Sequence, residues 1–172
     1  DLSIAREKAP EFVKHLMAVS EGELKPAGLG ARDSLRLEAG LCLYGHDMNE
    51  DITPVEATLL WTVGKRRRAE GGFLGADVIL EQIKSGVSKK RVGLTVDGPP
   101  AREGAEVVDA SGAAIGVVTS GTFSPVLSKS IAMAYVPADR NKAGTEHLVK
   151  VRNKTYKAVV TKMPWVPSGY KK

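Results

Sequence analysis

The sequence is poor in cysteine and in aromatic residues, and both shortages narrow its possible chemistry. Cys42 is the only cysteine among the 172 residues, which excludes an intramolecular disulfide and argues against a cysteine-rich metal site. It lies in the apolar run LCLYG, where a buried small hydrophobic residue is expected rather than a reactive thiol. Aromatic residues make up 5% of the chain, and this low share counts against a stacking surface for single-stranded nucleic acid.

Long hydrophobic runs and common catalytic signatures are missing as well. No stretch approaches the ~20 apolar residues that a membrane-spanning helix needs. His15, His46 and His147 are scattered and have no adjacent Ser or Cys motif, so no nucleophile triad is indicated. The acidic run HDMNED (46–51) lacks the spacing of known metal-binding motifs. We therefore expect a polar capping loop there, without a metal.

The chain carries a moderate excess of positive charge. It has 25 Lys and Arg against 20 Asp and Glu, a formal net charge of +5. The run KRRR (65–68) predicts either a solvated face or an anion site. The anion site would form part of a basic field with five further residues: Lys89, Lys90, Arg91, Lys171 and Lys172. Such a field attracts an anionic ligand, an acidic protein or nucleic acid, and we expect no nucleic-acid partner.

Helical periodicity marks the first half of the chain. Residues 3–20 predict an amphipathic surface helix packed on a sheet, with Pro10 at a kink or at the helix start. A second helix is predicted from Ala31 to Ala39, with Gly40 as its C-cap. Residues 55–63 predict a buried strand or a short helix. Two helices with at most two strands do not complete a domain, so we expect the end of an α+β domain, truncated at Asp1.

The second half predicts a small antiparallel barrel or sandwich. Six short β-like runs are separated by turn residues: RVGLTV, AEVVD, AIGVVTS, SIAMAYV, HLVKVR and YKAVVTK. Ser111 and Gly112 predict a hairpin turn between the second and third runs. Three glycines are expected at bends or bulges: Gly93, Gly116 and Gly121. The polar segment 84–91 predicts a boundary between the two halves.

Several separated motifs, in the same order, resemble the aminomethyltransferase (T-protein) family of the glycine cleavage system. They are GLGARDSLRLEAGLCLYGHDMNEDITPVEATLLWTVGKRRR, IGVVTSGTFSPVLSKSIAMAYV and the C-terminal VTKMPWVPSGY. The resemblance covers nearly the whole chain. The segment GKRRRAEGGFLGADVIL is more similar to eukaryotic members of the family than to bacterial ones. The resemblance therefore implies a location in the mitochondrial matrix.

The resemblance implies an α+β fold and a one-carbon transfer activity. Residues 1–84 would be the C-terminal part of a folate-binding domain, and residues 85–172 a small antiparallel β-barrel. T-proteins take an aminomethyl group from the lipoyl arm of H-protein, release ammonia and form 5,10-methylenetetrahydrofolate. The implied partners are lipoylated H-protein, tetrahydrofolate as co-substrate, and the missing N-terminal half of the T-protein. No metal is implied.

The resemblance also assigns site residues. The arginine of the ARDSLRLE motif lines the folate site in this family and corresponds to Arg32. The tyrosine near the family's C-terminus corresponds to Tyr170. Arg36 and Tyr44 are further candidates for the folate site, with packing preferred to direct contact. The family's catalytic aspartate and pterin-binding glutamate belong to upstream motifs that do not occur in this sequence, so we expect no catalytic residue here and no activity from this chain alone.

Two alternatives stay open at this point. The chain could be the folate domain of a sarcosine or dimethylglycine dehydrogenase, although LCLYGHDMNEDITP and the ending MPWVPSGY favour the T-protein. It could also be a non-catalytic split or retained piece that acts as a binding or structural subunit of a larger assembly. The presence or absence of the upstream half in the native protein would distinguish a non-catalytic piece from part of an active T-protein.

Overall fold

The computed structural model describes residues 2–167 and residue 169, which divide after Arg32 into two units, 1–32 and 33–172. The first unit holds a short 3-10 helix, Arg6–Lys8, and helix α1, Ala9–Val19. Pro10 lies in the first turn of α1, where the missing N–H removes no helical hydrogen bond. No residue of α1 is buried, and residues 2–32 contain no sheet for its apolar face. The predicted division at residue 84 stays a prediction.

Helix α2 spans Leu29–Glu38, close to its predicted position. Its last two residues, Leu37 and Glu38, are buried. Gly40 follows with a φ of +71°, the left-handed conformation that ends many helices and that glycine adopts without steric cost. The predicted C-cap region is therefore confirmed.

The strand alternatives of the first half are not formed, and the predicted turn and short helix are found in their place. Residues 2–88 form no strand, and the LCLYG run leads into a turn closed by an isolated bridge between Tyr44 and Met48. Residues 55–63 form turns and the 3-10 helix Leu60–Thr62. Most of their backbone hydrogen bonds are local, as in the donation from Leu59 N–H to the Pro54 carbonyl at 2.8 Å. The Glu56 carbonyl is an exception, because it accepts from the backbone N–H of Arg91 at 2.8 Å.

Two helices lead from these turns to the barrel. Helix α3, Lys65–Glu70, contains the KRRR run, and α4 spans Ala76–Ser85. The sequence analysis did not anticipate α4, although Gly75 and Gly86 flank it with positive φ. No helix in the described part of the chain is both long and apolar enough to cross a membrane.

Six antiparallel strands close into a barrel in the order β1-β4-β3-β2-β5-β6. They are β1 Lys89–Val96, β2 Glu106–Val108, β3 Ala114–Ser124, β4 Lys129–Pro137, β5 Glu146–Val151 and β6 Lys154–Thr161. The barrel is confirmed in preference to the sandwich. The predicted hairpin turn also forms, with Gly112 N–H donating to the Asp109 carbonyl at 3.0 Å.

The barrel interior is filled by branched and small side chains. The most completely buried include Leu94, Val107, Val118, Ala134 and Val149, each with 0% of its surface exposed. They come from five of the six strands, and Ala158 on β6 is equally buried. Each strand therefore contributes apolar area removed from water, the main favourable contribution to folding.

Glycine permits close backbone approach inside this barrel. At Gly121 on β3, an added Cβ would overlap the carbonyl oxygen of Ala101, and at Gly116 it would overlap that of Tyr135. Both carbonyls belong to the backbone, so neither can shift to make room in the way that the end of a flexible side chain can. These two glycines are therefore positions of contact rather than only bends.

We predict that Gly121→Ala lowers the free energy of unfolding by about 3 kcal/mol, because overpacking a rigid backbone contact is destabilising. Gly64→Ala is the matched control, since nothing lies within 4 Å of its added Cβ and its φ is −56°. Urea unfolding followed by circular dichroism measures both. Equal midpoints for the two variants would contradict the close-approach assignment.

Candidate functional site

A buried ion pair lies between the end of α2 and the turn that follows it. Arg36 Nη1 donates to Asp47 Oδ2 at 2.6 Å, and the side chains are 10% and 0% exposed. The same aspartate oxygen accepts from the Leu43 backbone N–H at 2.9 Å. The opposite oxygen, Oδ1, accepts from the Thr119 hydroxyl at 2.6 Å. Because buried carboxylates are unfavourable without partners, these three donors explain how Asp47 is accommodated.

The barrel contributes to this pair through a bulge in β3. Consecutive residues of a regular strand point to opposite faces, yet Thr119 donates to Asp47 while Ser120 accepts from Arg36 Nη2 at 2.8 Å. The register between β3 and β4 shifts between Val118 and Ser120, and that irregularity brings both hydroxyls to one ion pair.

Tyr135 on β4 supports the same turn from inside the structure. Its hydroxyl donates to the Asp47 backbone carbonyl at 2.8 Å. Burial raises the pKa of Tyr135 well above its ordinary value, so the phenol keeps its proton and stays a donor at physiological pH.

The Arg36 guanidinium has no N–H left for a ligand. Nε and Nη2 both contact Asp33 Oδ1, at 2.8 and 2.7 Å, and Nη1 also donates to the Leu41 carbonyl at 3.2 Å. With Asp47 and Ser120, these acceptors match the five donors of an arginine. Arg36 therefore holds protein groups in place. Arg32 lies one helical turn earlier in α2 and is exposed.

Of the two candidate tyrosines, Tyr44 and Tyr170, the structure describes only Tyr44. Tyr44 is 65% exposed, and its hydroxyl donates to Glu50 Oε2 at 3.1 Å. That hydrogen bond, together with the charge of Glu50, raises the pKa of Tyr44. Tyr170 lies outside the described residues. The structure thus brings Arg36 to the ion pair and leaves Arg32 and Tyr44 as exposed groups.

The acidic loop 46–51 uses its side chains for protein contacts. His46 Nδ1 lies 2.6 Å from Glu103 Oε2, and Asn49 Oδ1 accepts from the Asp51 N–H at 3.0 Å. Within the part of the chain that the structure describes, no three His, Cys, Asp or Glu residues are grouped so that they could hold a metal ion.

Glu38 ties the end of α2 to two later segments. Its Oε1 accepts from the hydroxyl of Ser124, at the end of β3. Its backbone carbonyl accepts from the N–H groups of Trp165 and Val166 at 3.0 and 3.1 Å. Gly93 makes room for this C-terminal segment, because a Cβ there would lie 2.7 Å from the Trp165 ring.

The predicted basic field is wrong at one position. Arg91 is buried, with 3% of its surface exposed, so it cannot contribute to a surface field. The KRRR run also divides: Arg67 donates to the Gly71 and Gly72 carbonyls, and Arg68 to the Val63 carbonyl. Since the charge pattern records only composition, it could not distinguish these structural arginines from solvated ones.

Cys42 is half-buried, in fair agreement with its expected role as a small hydrophobic residue. Burial is the main effect that raises the pKa of its thiol. A raised pKa lowers the thiolate fraction at neutral pH, and with it the nucleophilic reactivity.

Comparison with protein families gave two matches that follow each other along the chain. A model described as "GCVT N-terminal domain" matches residues 1–67. A model described as "Glycine cleavage T-protein C-terminal barrel domain" matches residues 89–167, which include all six strands.

Comparison with curated proteins and solved structures points the same way. A mitochondrial aminomethyltransferase of Solanum tuberosum is 56% identical over 172 residues, 100% of this chain and 42% of the relative. That of Gallus gallus is 52% identical over 170 residues, 99% of this chain and 43% of the relative. The crystal structure of glycine cleavage system aminomethyltransferase T from Bartonella henselae has a TM-score of 0.84 and 43% identity, covering 92% of this chain and 44% of that one. The chain spans less than half the length of these relatives.

We predict that Asp47→Asn lowers the free energy of unfolding by about 3 kcal/mol, because it removes the fully buried one of the two carboxylates that pair with Arg36 and leaves only the more exposed Asp33. The control is Glu106→Gln, which removes an exposed ion pair with Lys150 and should cost at most about 1 kcal/mol. Chemical denaturation compares the two. A small, equal loss for both variants would show that the buried pair contributes no more than a surface pair.

Proposed function

The chain belongs to the glycine cleavage T-protein family, and from this we propose that it forms part of a tetrahydrofolate-dependent aminomethyltransferase of the mitochondrial matrix. The reaction takes the aminomethyl group carried on the lipoyl arm of H-protein. Its nitrogen leaves as ammonia, and its carbon passes to tetrahydrofolate to give 5,10-methylenetetrahydrofolate. The observation that carries the proposal is the whole-chain similarity to proteins named mitochondrial aminomethyltransferase.

The proposed role of this chain is to bind folate rather than to transfer protons. No position of the sequence matches the catalytic aspartate or the pterin-binding glutamate of the family. Asp47 does not replace them, because both of its carboxylate oxygens accept hydrogen bonds from protein groups. The segment that carries the acid would have to be supplied together with residues 1–172.

Arg32 is the proposed folate contact of the chain. Its exposed guanidinium could donate to the electron-rich edge of the pterin or to the carboxylates of the glutamate tail. Arg36 would act as a positioning residue, because its bonds to Asp33 and Asp47 fix the helix turn that follows Arg32. Tyr44 and Tyr170 are proposed as lesser contacts with the same ligand.

The test is a hybrid enzyme in which residues 1–172 replace the matching segment of the Solanum tuberosum relative. We expect ammonia release and methylenetetrahydrofolate formation from aminomethylated H-protein. In that hybrid, Arg32→Met should raise the KM for tetrahydrofolate about tenfold or more, because a charge-assisted hydrogen bond is lost.

Arg6→Met is the control for Arg32→Met, since Arg6 is also an exposed arginine in a helix and lies outside the KRRR run. It should leave the KM unchanged. A folded hybrid without activity, beside an active parent, would overturn the proposed function. An active hybrid in which both arginine variants behave alike would remove only the role given to Arg32.

A further inference from the structure

Arg91, at the start of β1, is a buried cation with weak partners. Its Nε donates to the Ala57 carbonyl at 2.8 Å. Its Nη1 faces the sulfur atoms of Met133 at 3.1 Å and Met163 at 3.5 Å. Thioether sulfur is a weak acceptor. Within the described residues, a single carbonyl is therefore the strong acceptor for a group with several N–H donors.

Arg36 shows how the same chain neutralises a buried arginine. It contacts two carboxylates, those of Asp33 and Asp47, at 2.7 and 2.6 Å. Arg91 is more deeply buried, and it takes part in none of the ion pairs found among the described residues. Burying a guanidinium without a counter-charge is strongly unfavourable. Because no carboxylate of the described chain pairs with Arg91, the missing negative charge is expected to come from a bound anion.

Arg91 also lines a cavity of about 610 Å³, large enough for a small organic molecule. Apolar side chains form much of its wall, and two further cations lie beside them: Leu41, Leu59, Trp61, Met163, Lys90 and Lys162. Among the residues that the structure describes, no acidic side chain lines this cavity. The cavity therefore combines a positive potential with an apolar surface.

We propose that this cavity is a binding site for a carboxylate carried on a small apolar molecule, with the carboxylate paired to Arg91. The planar guanidinium matches a carboxylate in geometry and in charge. The apolar wall favours an anion that carries an apolar group over inorganic phosphate, which has no apolar surface to bury. This site is separate from the folate contact assigned to Arg32 and does not rest on it.

The test is an NMR titration of the 172-residue chain with benzoate, benzyl alcohol and inorganic phosphate. Benzoate and benzyl alcohol have the same ring but differ in charge. We expect benzoate to bind at least about tenfold more tightly than benzyl alcohol, the factor of a charge-assisted hydrogen bond. Shifts should concentrate on the residues around Arg91. Arg91→Met should remove the preference for benzoate, while Arg66→Met on α3 should keep it.

A second pair of variants covers the case in which Arg91→Met does not fold. Ala143 is exposed and lines the cavity, so Ala143→Trp should obstruct it and weaken benzoate binding at least about tenfold, in line with the loss of a charge-assisted contact. Ala110→Trp, on the exposed turn between β2 and β3, should not. Equal affinity for benzoate and benzyl alcohol, tighter binding of phosphate, no benzoate binding, or equal effects of the two tryptophans would each overturn the proposal.

Discussion

The buried ion pair between Arg36 and Asp47 is the constraint on which the second unit depends. Two charges removed from water are tolerable only when their remaining donors and lone pairs are satisfied, and the partners here come from three places. They are the last turns of α2, the turn that contains Leu41 and Leu43, and β3. Tyr135 on β4 adds a hydrogen bond to the backbone carbonyl of Asp47. Satisfying one pair therefore fixes the position of a helix and a turn against the barrel wall.

Glu38 extends this constraint to the end of the described chain. Its carboxylate holds Ser124 and its carbonyl holds the backbone at Trp165 and Val166. The last turn of one helix thus holds segments that are far apart in sequence. This explains why α2 ends in the buried residues Leu37 and Glu38.

The sequence predicted local features well and side-chain partners poorly. Period-two runs and turn glycines were sufficient for the six strands, because barrel strands carry their pattern locally. Residues 55–63 have a composition that suits a strand, but most of their backbone hydrogen bonds close local turns. Composition alone does not distinguish these two outcomes. The meeting of Thr119 with Asp47 depends on a bulge in β3, and the burial of Arg91 depends on Ala57 and two methionines. Such contacts follow from tertiary packing, which one sequence does not show.

Closure of the barrel has a consequence for how the protein behaves at high concentration. Each strand of β1 to β6 has a hydrogen-bonded neighbour on both sides over at least part of its length, so the folded sheet has no edge strand to pair along its whole length with another molecule. Val117 and Phe123 are nevertheless 43% and 49% exposed on β3. These apolar side chains can contact other apolar surfaces. The native barrel, however, has no edge strand for the edge-to-edge addition that begins fibrillar aggregation.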